Sequence, residues 1–324
     1  MTAPPDPSAP PLRLGTRASA LAMAQSGQMA RALAAAHPGL RVELVPIVTR
    51  GDRLPGDLAP FGGKGLFTEE LESGLLAGTL DLAVHSLKDL PVALPDGLTV
   101  AAHPPRADPR DTLVSDLASD LDGLPPGAVV LTGSLRRRAL VLLRRPDLQV
   151  EGLRGNVDTR LRRWRESGAA AVILAGAGLD RLGLLAAGQW PAHPLAPDVL
   201  LPAPGQGTLA IEVLRGGRAE PLVRALDDPA TAATADAERR IVAAFGGDCS
   251  LPLAAWARWE PAGNHRTQLR LTALLATPDG RHIARGDTTG DDPRAVAAAC
   301  IAAMQSAGAA AVLARVRRQT DGPP

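Results

Sequence analysis

The chain has 324 residues, 45% of them hydrophobic and 21% charged, with a formal net charge of +1. That length predicts two or three domains, each large enough to bury its own core, rather than one small module. It holds no apolar run near the roughly eighteen residues of a membrane span, and the near-neutral balance excludes a protein that is basic throughout.

Met1 to Pro11 is proline-rich and lacks the charged and apolar regions of a secretory signal, so it reads as a disordered lead-in. From there short apolar runs alternate with helical stretches, the rhythm of an α/β domain. Leu12 to Gly15 is predicted as a strand, Ser19 to Ala36 as a helix, and Arg41 to Thr49 as a second strand. Leu66 to Leu76 has helical spacing, and Asp81 to Val84 is a short buried strand. Pro91, Pro95, Pro104, Pro105 and Pro109 then break the chain where a crossing to a second domain is expected.

The same rhythm restarts at Ala128, without obvious sequence repetition. A strand runs to Leu131, a helix starts at Leu135, a strand lies near Leu148 to Glu151, a helix starts at Val157, and a strand spans Ala171 to Leu174. Pro191 to Pro204 is expected to return the chain toward the first domain. From about Ala219 the pattern changes to one helix, a Gly-Gly-Asp-Cys loop, alternation over Gln268 to Leu275 and Arg281 to Asp287, and a terminal helix from Pro293 to Arg317. That last part reads as a small α+β domain.

Several segments carry chemistry. Asp81-Leu-Ala-Val-His-Ser-Leu-Lys-Asp89-Leu-Pro places polar residues directly after a buried strand, where ligands of open α/β sheets sit. Lys88 beside Asp89 can hold that carboxylate ionised. Asp89 as a turn cap before Pro91, and His85 as a structural histidine, are the plainer readings. Thr132-Gly-Ser134-Leu-Arg136-Arg137 opens a helix after a strand, and Leu153-Arg154-Gly-Asn-Val-Asp-Thr-Arg160 does so after the next. Helix N-termini and arginine forks suit carboxylate or phosphate. Gly15-Thr-Arg17-Ala-Ser19 supplies a third such cradle, with Ser19 as a plain N-cap the other reading.

Between Ser134 and Arg165 ten arginines face Asp147, Glu151 and Asp158, an excess of seven positive charges. This field attracts an anionic ligand or forms a solvated helix face. Phe61-Gly-Gly-Lys64-Gly lacks the spacing of a nucleotide-binding loop and is read as a glycine-rich flap. Gly246-Gly-Asp-Cys249-Ser-Leu-Pro252 exposes a thiol in a tight loop, whereas Cys300, among alanines, reads as helix core. Without metal-like spacing or an export signal, both thiols are expected reduced, in the cytoplasm.

These pieces, in this order, together with Val-Thr-Arg-Gly-Asp52 and Pro-Gly-Gln206-Gly, resemble the hydroxymethylbilane synthase (porphobilinogen deaminase) family from about residue 12 to 253. Gly133, Asp158 and Asp248 depart from residues the family often has at those places. The resemblance implies two α/β domains like those of type II periplasmic binding proteins, with a cleft between them, and a third, smaller α+β domain. The expected boundaries are 12–104 plus 203–218, 105–202, and 219–320.

It also implies a monomer with no metal and no membrane or nucleic-acid partner. Cys249 would carry, through a thioether, one dipyrromethane cofactor that the apoenzyme assembles from its own substrate. Four porphobilinogen units would then add head to tail with loss of ammonia, and water would release the linear tetrapyrrole. Asp89 would be the catalytic carboxylate, buried, assisted by Lys88. Ser134, Arg136 and Arg137 would hold the cofactor with Asp89 and Lys88. Arg17, Ser19, Arg154, Arg160, Arg181, Lys64 and Gln206 would hold substrate. Two rivals share some features: a non-catalytic two-lobed binding protein, which lacks the cysteine-bearing domain, and a nucleic-acid binder, for which 2% aromatic residues leave few stacking platforms.

Overall fold

The computed structural model describes residues 10–53, 68–246, 251–263 and 266–320. The chain opens with β1 (Leu12–Arg17), α1 (Ala20–Ala36), β2 (Val42–Ile47), α2 (Arg50–Arg53), α3 (Glu69–Leu76), β3 (Leu82–Ser86) and β4 (Leu98–Ala102). There follow β5 (Asp111–Val114), β6 (Val129–Leu131), α4 (Leu135–Arg144), β7 (Gln149–Glu151), α5 (Val157–Ser167), β8 (Ala171–Ala175), α6 (Gly176–Arg181) and β9 (Ala192–Pro194). The remainder is β10 (Leu209–Leu214), α7 (Glu220–Val223), α8 (Pro229–Phe245), β11 (Leu253–Pro261), β12 (Thr267–Ala276), β13 (Ile283–Gly290), α9 (Pro293–Ser306) and α10 (Ala309–Thr320).

Two compact units result. One takes the chain up to Arg106 and again over Thr208–Ala232; the other takes Ala107–Gly207 and everything from Ala233. The chain thus changes unit three times, twice close to the two proline-rich stretches and once between Ala232 and Ala233 in α8.

The first unit is built on a sheet of order β2-β1-β3-β10-β4, in which β1 runs parallel to β2 and β3 while β10 is antiparallel to both neighbours. In the second unit the order is β7-β6-β8-β5-β9, with β6 parallel to β7 and β8 and β5 antiparallel to both neighbours. The two sheets therefore share one arrangement of strand order and direction, although the antiparallel strand comes last in chain order in the first (β10) and first in the second (β5); the restarted rhythm at Ala128 is the trace of the shared part. The central strands are apolar almost throughout because helices cover both faces. Met29 and Leu33 of α1 pack on Leu12, Leu14, Leu82 and Ile211, while Leu71 and Leu75 of α3 pack on Ala83 and Leu98 from the other side. In the second unit Ala139 and Leu140 of α4 cover Leu113, Val130 and Ile173; Leu161 and Trp164 of α5 and Leu179 of α6 cover Val114, Leu131 and Val172. Each such leucine, fully buried, contributes about 1.5–3 kcal/mol.

The second unit also contains the meander β11-β12-β13. One face packs Ala255, Leu271 and Leu275 against Ile241 of α8, Cys300 and Met304 of α9 and Val312 of α10; the other adds Ala254, Leu274 and Ala276 to the α4 core. The result is α/β in the two five-stranded sheets and α+β in this last part. The terminal helix expected from Pro293 to Arg317 is two helices meeting at 71°. Gly308, at φ +88°, turns the chain between them, a conformation that favours glycine. Among the described residues no single helix is long and apolar enough to cross a membrane.

Candidate active site

In the first unit the expected residues gather at the carboxyl ends of the parallel strands. Arg17 ends β1 half-buried, and Ser19 caps α1, its Oγ accepting from the Ala22 N–H at 3.3 Å. After β3 the chain makes one 3-10 turn, Leu87–Asp89. Leu87 anchors that turn, 2% exposed, with its N–H donating to Thr208 O at 3.0 Å. Lys88 is half-buried and Asp89 exposed. The exposure corrects the expectation of a buried carboxylate: Leu87 and Leu90 take the buried positions of the turn and leave Asp89 at its surface. Among the described residues no hydrogen bond engages that carboxylate, so it does not cap the turn before Pro91.

His85 is buried on the α3 face of the sheet, Nε2 3.0 Å from Glu212 Oε2 of β10. Glu72 of α3 shares that pocket, and its carboxyl is raised by burial, with the Glu212 charge acting in the same direction.

In the second unit the strand ends lie in the order β7, β6, β8, and each carries arginine. Thr132 N–H donates to Glu151 O at 2.9 Å, which lays the two arginine-bearing turns side by side. Gly133 is what permits this, since a Cβ there would collide with the Leu153 carbonyl oxygen; a side chain at 133 requires the neighbouring turn to move. Ser134 Oγ caps α4 by accepting from Arg137 N–H at 3.4 Å. On the β7 side Arg154 is exposed, Arg160 is half-buried with Nε donating to Gly155 O at 2.6 Å, and Arg163 donates to Arg154 O at 3.0 Å. Asp158 sits in the first turn of α5, where an acid suits the helix dipole. Arg181 closes α6 after β8 and donates to Gly207 O at 2.7 Å; burial lowers its pKa.

Arg136 and Arg137 do not project into solvent. Both are under 6% exposed and both meet Asp111, which is fully buried at the start of β5. Arg136 Nη1 lies 2.8 Å from Asp111 Oδ2, and Arg137 Nη2 lies 2.8 Å from Oδ1. Gln206 Nε2 adds a donor to Oδ1 at 3.0 Å and another to Pro109 O at 2.7 Å. Burial pushes the Asp111 carboxyl up, but the Arg136 and Arg137 charges outweigh it and hold the group at about 2. Next to Gln206, Gly205 N–H donates to Oε2 of Glu238 at 2.5 Å, and Ala257 N–H of β11 donates to Oε1 at 2.7 Å. Glu238 has no exposed surface.

Sequence reasoning missed Asp111, Glu212 and Glu238. The first two lie on antiparallel strands that reach their sheets from the far side of a long crossing, and Asp108-Pro-Arg-Asp111 gives only the hint that carboxylates stand ahead of an arginine-rich stretch. Lys64, Asp248 and Cys249 lie outside the described residues. Cys300 is buried in the helix core as expected, and burial pushes its thiol up to about 11.

A dipyrromethane group bearing acetate and propionate side chains needs clustered cationic donors. The second unit offers them: the buried Arg136–Asp111–Arg137 set sums to one positive charge, and the Arg136 Nε is buried without an acceptor. Among the described residues no group of His, Cys, Asp and Glu is arranged to hold a metal.

Taken together, these strand ends define an α/β protein furnished to hold carboxylates, with a lysine–aspartate turn on a separate sheet. Residues 12–220 match the family model described as porphobilinogen deaminase, dipyromethane cofactor binding domain, and residues 232–305 match the C-terminal domain of porphobilinogen deaminase. A porphobilinogen deaminase of Rubrobacter xylanophilus is 47% identical over 308 residues, 94% of this chain and 97% of that protein. One from Bacillus velezensis is 40% identical over 318 residues, 96% of this chain and 98% of that protein. Among solved structures, the methionine binding protein MetQ aligns over 70% of this chain and 93% of its own at 14% identity and TM-score 0.40. The chain belongs to the porphobilinogen deaminase family.

Proposed function

We propose that the chain is a hydroxymethylbilane synthase, a transferase of tetrapyrrole biosynthesis. It condenses four porphobilinogen molecules head to tail on a dipyrromethane cofactor and releases the linear tetrapyrrole by hydrolysis. The observation that carries this reading is that every arginine-bearing strand end, and the Lys88–Asp89 turn, fall inside the 12–220 match to the dipyrromethane-binding domain. When bound, the cofactor would supply the primer whose free end the growing chain extends.

The residues divide the work by chemistry. Porphobilinogen must lose its aminomethyl nitrogen as ammonia, which breaks a C–N bond and leaves a cation on the pyrrole. Asp89 is placed to hand a proton to the departing amine and, once ionised, to stabilise that cation. After the new C–C bond forms, the same carboxylate takes up the ring proton, so one proton cycles per addition. The Lys88 ammonium, next to Asp89 in the turn, faces the carboxylate with a positive charge in the interval between the two proton transfers. Arg136, Arg137 and Ser134 would hold the cofactor's carboxylates, and Arg17, Ser19, Arg154, Arg160, Arg181 and Lys64 those of substrate and growing chain; guanidinium forks match carboxylates two bonds at a time. Cys249 would anchor the cofactor through sulfur. The three-domain division, the monomeric state and a cytoplasmic setting follow from the same resemblance and belong to this proposal.

The test is intact-mass spectrometry of the purified chain. A covalent excess of two pyrrole units on the peptide containing Cys249 is expected; an active chain with unmodified Cys249 would overturn the reading.

A further inference from the structure

We propose that Asp111, backed by Gln206, is a positioning residue that sets the fork of Arg136 and Arg137 for a ligand carboxylate. The inference rests on the reading that these two arginines hold the cofactor.

Its support is the division of donors. Each guanidinium has five N–H bonds to place. Arg137 donates Nε to Asp111 Oδ1 at 2.9 Å and Nη1 to Ile173 O at 3.0 Å, and its Nη2 lies in ion-pair contact with the same Oδ1 at 2.8 Å. Arg136 donates Nη1 to Leu201 O at 2.6 Å and pairs by charge with Asp111 Oδ2 at 2.8 Å, and both that Oδ2 and the Arg136 Nε are buried without a hydrogen-bond partner. One carboxylate therefore orients two cations and neutralises one. A buried surplus of charge is costly unless a counter-charge arrives, and an anionic ligand supplies it. Without Asp111 the two guanidiniums repel each other and lose the common point that aims them.

The same geometry gives Gln206 a different part from substrate contact. Its amide nitrogen donates to Pro109 O and to Asp111 Oδ1, so both N–H bonds hold the entry to β5 in place and neither remains for substrate. Gln206 acts through Asp111.

The experiment follows covalent loading of the apo chain with porphobilinogen by intact mass, alongside thermal melting, for the wild type and four variants. Asp111→Asn keeps the volume and removes the charge. Gln206→Leu leaves all three charges and removes the support. The double variant Asp111→Asn/Gln206→Glu returns a carboxylate to the fork from the opposite side. Leu121→Ala, in the core of the same unit, lowers stability without touching the cluster.

Loading is expected to slow by roughly 10–100-fold in Asp111→Asn, the range set by misplacing one charge-assisted donor, and by a few-fold in Gln206→Leu. The double variant is expected to recover part of the loss, which a packing role would not allow. If Asp111→Asn does not fold, Gln206→Leu against Leu121→Ala decides the matter. Loading by Asp111→Asn at the wild-type rate overturns the inference alone, as does a loss that merely tracks melting temperature across all variants. A wild-type chain that never acquires the adduct removes the cofactor reading, and this inference with it.

Discussion

Glu238→Gln isolates the contribution of one buried acceptor. Glu238 is fully enclosed in α8 and accepts two backbone N–H bonds, from Gly205 at 2.5 Å and from Ala257 at 2.7 Å. The glutamine is isosteric but turns one acceptor oxygen into an NH2 that faces a backbone donor. One charge-assisted bond is lost and one buried N–H is left unmatched, at a cost of about 2–3 kcal/mol. The loss falls on local opening of the two segments that Glu238 ties, so amide exchange at Gly205 or Ala257 should accelerate about 30- to 150-fold, given about 1.4 kcal/mol per factor of ten. Hydrogen–deuterium exchange resolved to short peptides around 203–208 and 253–258 measures this, with the Leu12–Arg17 strand as an internal standard. Unchanged exchange in both segments would show that neither bond holds them, and Glu238 would not tie the two segments.

Asp89→Ala should leave the fold and its melting temperature intact, since the side chain is exposed and unbonded among the described residues, while turnover collapses; turnover near wild type would take Asp89 out of the chemistry. For Asp111 the folded carboxyl sits below its ordinary value, so its stabilisation is present above about pH 4 and is lost as pH falls through 4 toward 2. Over that interval about 2 kcal/mol should disappear, measured as a drop in the urea midpoint, and Asp111→Asn should flatten this part of the profile. Gly133→Ser should destabilise the second unit by about 1–3 kcal/mol, because the added Cβ overlaps the Leu153 carbonyl; a neutral result in a urea melt would mean that the two turns separate freely. Cys300→Ala should cost stability but leave the covalent adduct at Cys249, which intact mass reads directly.

Most of the parallel strands and their helices were legible because each is a local pattern: an apolar run, then a cap such as Ser19 or Ser134, then a period of 3.6. The arginine turns were legible for the same reason, since Ser134-Leu-Arg-Arg137 and Arg154-Gly-Asn-Val follow their strands directly. What sequence spacing does not carry is pairing across the chain. β5 and β9 are short and lie among prolines without a helical period after them, and β10 and β11 follow glycine- and proline-bearing turns rather than a helix, so no neighbouring pattern marks them. Asp111 and Glu212 become meaningful only when those strands are laid against β8 and β3. The one terminal helix became two because alanine-rich sequence continues a helical period straight through Gly308, where only the backbone conformation shows the break.

The interrupted first unit also dictates an order of assembly. Its sheet places β10 between β3 and β4, so a nascent chain that has emerged as far as Arg106 has made β3 and β4 but not the strand that joins them. The second unit's five-stranded sheet, by contrast, is drawn entirely from residues 111–194 and can pair as soon as they emerge. During synthesis the later-made sheet therefore completes first, while the earlier one waits with the edge of β3 open until Leu214 has emerged. An unpaired apolar edge held open for that long, about 5–20 s at ordinary synthesis rates, is a template for pairing with another chain until β10 covers it.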